Sequence, residues 1–165
     1  MFELKPLSLP AVRAALARAE RYRLLSEPEQ CQSICEDALK ADPDNHAARV
    51  MLILAITDGF PHTTEAATRA MEIAGGLPSH YDRCYYAALV AERRARALLS
   101  RGGMGRRGAS PWLHQARVQY DRADALRPSD SDDARLRWNA CARVFNAHPD
   151  LLGEEDEPYV PVMLE

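Results

Sequence analysis

One spacing recurs three times: a small residue, a small or aromatic residue four positions on, and a proline eight positions after that. It falls at Cys31, Cys35 and Pro43, at Ala66, Ala70 and Pro78, and at Ala116, Tyr120 and Pro128. A self-similar spacing wrapped around helical sequence is the mark of stacked helical repeats, in which each unit hides its apolar face only by leaning on its neighbours.

The first unit adds Ala19, Tyr22 and Ala38 to Cys31, Cys35 and Pro43. In this spacing the chain resembles the tetratricopeptide repeat (TPR) family, whose units place a small residue, an aromatic, two close-contact positions, an alanine and a closing proline in that order. The resemblance implies an all-α fold: a right-handed TPR-type α-solenoid of about three helix-turn-helix repeats and a capping helix. The units are residues 12–45, 46–80 and 81–130, the last with an Arg/Gly-rich insertion at 101–110. Residues 131–148 form the cap of a 1–148 domain, and 149–165 an acidic, proline-containing tail. The pattern departs at the bulky opening position, held by Ala15 and Arg49, and at Ile53, where a small residue is expected. Antiparallel helices approach closely only where small side chains such as Ala19, Ala38, Ala88 and Ala123 meet, while Tyr22 and Tyr120 would fill the wider gaps between units.

Capping chemistry sets the helix bounds. Pro10, Pro28 and Pro111 each fit a first helical turn, where a missing amide hydrogen is harmless. Ser79, Ser131 and Thr63 are candidate N-caps. Helices are expected over 10–25, 28–41, 45–57, 64–74, 80–100, 111–126 and 132–147, and no segment has the alternation of a strand.

With 47% apolar residues and a net charge of −3, the 165-residue chain reads as one ordinary domain with no demand for a strongly charged partner. The opening MFELKPLSLP lacks the features of a secretory signal, and no run of about 18 apolar residues occurs, so the expectation is a cytoplasmic protein without a membrane partner. Four cysteines suit that compartment. Cys31 and Cys35 read as small core hydrophobes; the sharper alternative, zinc bound by Cys31, Cys35, His80 and Cys84, lacks the closely spaced loop-borne pairs of structural zinc sites. No metal or other cofactor is expected.

Charge is uneven. From Arg93 to Tyr120 there are seven arginines and no acidic residue, around the glycine-rich stretch 101–108. Guanidinium forks suit phosphates and carboxylates, so anion or RNA binding through 93–117 is a conceivable use. However, stacking aromatics are not interleaved, and arginine is the chain's general cation, at 19 against two lysines. A long solvated loop is the reading preferred here. A Walker-type phosphate loop is excluded because no lysine is available there. The tail carries Glu154, Glu155, Asp156 and Glu157 and then the apolar, proline-interrupted strip Tyr159 to Leu164. It would either pack over the last helix or lie extended along a groove.

The resemblance also implies a trough lined by the first helix of each pair. The candidate lining is Arg13, Leu16, Glu20 and Arg23; Val50, Leu54 and Thr57; Tyr85, Leu89, Glu92 and Arg93; and Arg135, Asn139 and Arg143, with Tyr85 as aromatic anchor and arginines as carboxylate contacts. Leu16 and Glu20 stand where relatives that grip acidic chaperone termini use lysine and asparagine, so that ligand is not carried over. Enzymatic chemistry is not expected, because the five histidines are scattered without an acid or hydroxyl partner at a repeated spacing. The expected function is a non-catalytic adaptor whose trough holds an extended peptide, from another protein or from the chain's own tail. The alternative is self-assembly into a homo-oligomer through the stack end or the tail.

Overall fold

A computed structural model describes residues 2–60 and 66–152. Its helices are α1 (Val12–Leu24), α2 (Pro28–Ala41), α3 (His46–Asp58), α4 (Ala66–Gly75), α5 (His80–Leu99), α6 (Gly103–Ala125) and α7 (Asp133–Ala147), with 3-10 turns at Leu9–Ala11 and Pro149–Leu151. Among the described residues there is no strand.

Several boundaries follow from local chemistry. Pro28 opens α2, and Pro10 lies in the 3-10 turn that leads into α1. The Asn45 side chain accepts the Ala48 amide at 2.9 Å, and the Ser79 hydroxyl accepts that of Asp82 at 3.3 Å. Ser131 lies one residue before the N-cap of α7, Asp132. The Thr63 cap and the start of a helix at Thr64 fall outside the described residues.

The glycine-rich stretch departs from expectation. It is not a loop: α6 begins at Gly103, eight residues before Pro111, which sits inside the helix. Gly102, at φ 77°, turns the chain sharply after α5. A Cβ on Gly105 would lie 2.0 Å from the carbonyl oxygen of Leu98, so the first turn of α6 rests directly on the last turn of α5. Glycine supplies close approach here, which its usual association with loops conceals. An interior proline costs about 3 kcal/mol or more. Burial of Ala109 and Leu113 on either side of Pro111 offsets that cost.

Each helix packs on the next in sequence, and α1 touches α3 as α3 touches α5. One core cluster unites Ala19, Cys31, Cys35, Ile53, Ile56 and Ala70 with Val90 and Ala97 of α5. A second unites Cys84, Ala88, Ala91 and Ala95 of α5 with Leu113, Tyr120, Cys141 and Phe145. Helix α5 is therefore the wall common to both. The expected close-contact residues Ala19, Ala38, Ala88 and Ala123 are fully buried, as is Tyr120, whereas Tyr22 is 36% exposed and fills no gap. Arg49 binds the carbonyls of Pro43 and Gly76 and so ties two loops together.

Candidate functional site

The odd-numbered helices are joined by polar groups along one face. Arg23 near the end of α1 donates through Nε to Asp58 Oδ2 at 2.6 Å, and Arg93 of α5 donates through Nη1 to Asp58 Oδ1 at 2.5 Å. The same Arg93 nitrogen reaches Thr57 Oγ1 at 2.7 Å and the Leu54 carbonyl at 3.2 Å. Arg93 thus caps the C-terminal turn of α3, where a cation is favoured. Burial pulls its guanidinium below the ordinary value, against the upward pull of Asp58. At these bonds the C-terminal halves of α1, α3 and α5 meet.

A second cluster extends the face to α7. Glu92 is fully buried; its Oε2 accepts from the Tyr120 hydroxyl at 2.8 Å and its Oε1 from Arg96 Nε at 2.9 Å, while Arg137 Nη1 lies 3.4 and 3.5 Å from the two oxygens. Burial, followed by the Glu92 charge, pushes the Tyr120 phenol far up, so it acts as a fixed donor. Beside it, Tyr85 stacks on Tyr81 at 5.7 Å between ring centroids and meets the edges of Tyr86 and Tyr120 at 5.2 and 5.8 Å. Along this face four guanidiniums, Arg23, Arg93, Arg96 and Arg137, share two carboxylates, Asp58 and Glu92. An open cleft of about 810 Å³ lies at its α1–α3 end, lined in part by Arg23, Leu24, Glu27 and Asp58.

The expected lining residues divide. Arg23, Leu54, Thr57 and Arg93 are brought together, with Tyr85 half-buried beside Arg137. Leu16 and Val50 pack partly against the core, and Arg13, Glu20 and Arg143 are exposed. Leu89 and Glu92 are closed to any partner, at 2% and 0% exposure. Arg135 instead binds Asp124 of α6 at 3.1 Å and, with Asn139 and Trp138, edges a separate depression of about 290 Å³. On α7 the inward residues are Ala134, Arg137, Cys141 and Phe145, so the expected face 135, 139 and 143 is rotated away from α5. Sequence reading missed Asp58 and Arg137, and counted Arg96 only within the arginine-rich segment 93–117. Cys141, buried between Arg137 and Phe145, was the available pointer to the true inner stripe.

The seven arginines of 93–117 do not form one patch, since Arg93 and Arg96 pair with Asp58 and Glu92 on the odd-helix face whereas Arg106 pairs with Asp150 after α7. Cys31 and Cys35 lie in one core cluster and Cys84 in the other, so the conceivable zinc ligands are not assembled. Their contact and burial push the Cys35 thiol up. Among the described residues no helix is long and apolar enough to cross a membrane. Comparison with protein-family models, curated proteins and solved structures finds no match.

Proposed function

We propose that the chain is a non-catalytic adaptor of the TPR type, a right-handed solenoid whose odd-helix face holds an extended segment of a partner protein. The observation that carries this reading is the common face of α1, α3 and α5, bound together by Arg23, Asp58 and Arg93 and bordered by Tyr85. Partly exposed guanidiniums supply bidentate donors for carboxylates or backbone carbonyls, and a half-buried tyrosine supplies amphipathic contact area. Sequential packing of each helix on the next, with contacts between alternate helices, supports the solenoid.

The test is selection of peptides from a random display library on the full chain, followed by titration of the synthetic winners. Glu20→Arg and Arg23→Ala should change their affinity by about tenfold, the equivalent of 1.4 kcal/mol, with helical content unchanged. Winners indifferent to both variants would refute the assignment of this face.

A second reading, self-assembly through the outer end of the stack, is favoured by apolar exposure on the first pair. Phe2, Leu4 and Leu9 are 100%, 73% and 62% exposed, near a depression of about 360 Å³ lined by Leu7, Ala11, Tyr22 and Ile34. Light scattering after size exclusion separates the two: a dimer insensitive to dilution supports assembly.

A further inference from the structure

The arginine-rich face has a candidate occupant of opposite charge in the same chain. Leu151 is buried, and its carbonyl accepts from the Ser110 hydroxyl at 2.7 Å and lies 3.2 Å from His114 Nε2, so the chain is anchored to α6 as it leaves the described structure at Leu152. That anchor follows α7 and sits on the first half of α6, whose opening turn rests against the last turn of α5. The remaining residues, 153–165, lie outside the described structure. They begin with Gly153 and the acidic run Glu154, Glu155, Asp156 and Glu157, and continue through the apolar strip Tyr159 to Leu164.

We infer that this acidic run docks on the guanidiniums of Arg137, Arg96 and Arg93, and that the apolar strip continues across α3, making the tail an intramolecular occupant of the odd-helix face. Two observations carry the inference. The first is charge: at the α5–α7 end of this face Arg96 and Arg137, half and about two-fifths exposed, share the one carboxylate of Glu92, whereas the run offers four carboxylates without a cation among them. The second is reach. Arg137 stands ten residues before the end of α7, about 15 Å along the helix, and an extended chain covers that distance in about five residues. The acidic run occupies the second to fifth residues past Leu152, so its later residues have the length to reach Arg137. With neighbouring helix axes about 8–10 Å apart, the eight residues that follow suffice to cross α5 and α3.

The inference rests on reading this face as a peptide groove, but its test is independent of any external peptide. All four native cysteines are buried, so a thiol-reactive nitroxide can be directed to Leu164→Cys in the full chain. Amide signals of Leu54, Asp58, Arg93 and Arg96 should broaden, and the broadening should be lost at high salt and in the fourfold variant Glu154→Lys, Glu155→Lys, Asp156→Lys, Glu157→Lys. Broadening confined to α6 and α7 would overturn the inference in favour of a simple cap over the last helix. Broadening that appears only when labelled and isotope-enriched chains are mixed would overturn it in favour of a second copy. Broadening that survives both salt and charge reversal would overturn the electrostatic basis. If the broadening is found but no library peptide binds, the groove is self-occupied and this inference stands alone; peptides that bind with no broadening leave the groove and remove its resident.

Discussion

Tyr120→Phe isolates the polar group at the centre of the second core cluster. The substitution deletes one oxygen, leaves the ring and its edge contact with Tyr85, and opens no side-chain cavity. Both the donor and Glu92 are fully buried, and without the hydroxyl Glu92 Oε2 keeps, among the described residues, Arg137 at 3.5 Å. A hydrogen bond to a charged group contributes about 1.5–3 kcal/mol, and an unsatisfied buried acceptor falls at the upper end. Arg96 still holds Oε1 at 2.9 Å, which argues for a loss of about 2 kcal/mol rather than collapse. For a domain of this length, each kcal/mol shifts the melting temperature by about 2–4 °C, so a fall of about 4–8 °C is expected. Urea titration by circular dichroism should show a lower midpoint at unchanged slope. A loss under about 0.5 kcal/mol, the range of ordinary surface substitutions, would refute the claim that this hydrogen bond supports a buried carboxylate.

Other expectations follow from the same geometry. Gly105→Ala drives a methyl into the Leu98 carbonyl and should cost about 1–3 kcal/mol in thermal unfolding. Gly75→Ala, with nothing within 4 Å, should instead gain up to about 1 kcal/mol in the same assay. Ser26 ends α1 at φ 62°, so Ser26→Gly should raise the melting temperature by relieving about 1 kcal/mol of left-handed strain. Ala38→Leu should lower it, because Ala38 is fully buried against Val12 and Ala48. Burial, then the Glu92 charge, pushes the Cys141 thiol up to about 12 from 9.0, and burial does the same to the Tyr86 phenol from 10.0. The unfolded thiol releases its proton first, so this stability is intact below pH 9 and falls as pH rises from 9 to 12. Cys141→Ala should flatten that decline by about 1.4 kcal/mol per pH unit in urea titrations at stepped pH.

Helix number and most boundaries were legible because they depend on local signals: proline in a first turn, Asn45 and Ser79 as caps, alanines at close contacts. The beginning of α6 was not legible. Glycines at 102, 103, 105 and 108 read as a loop until the Leu98 carbonyl beneath Gly105 shows that one of them is there for contact. The site was half legible. Arg23, Leu54 and Arg93 follow from helical spacing, but Asp58, which joins Arg23 to Arg93, lies at a helix end, where periodicity carries little information. Glu92 illustrates the opposite limit. A carboxylate in a helical stripe reads as solvated, and only Tyr120 and two arginines from separate elements make its burial tolerable. The rotation of α7 follows from a choice between two stripes two residues apart, a difference that only packing against α5 resolves.

Because α5 serves both hydrophobic clusters, the molecule lacks a seam along which it could come apart into two surviving halves. Melting the first two helical pairs bares Val90 and Ala97, and melting the C-terminal pair bares Ala88, Ala91 and Ala95 on the same rod. Whichever end frays first, the amides of α5 exchange with solvent last, and their protection reports the cooperativity of the entire stack.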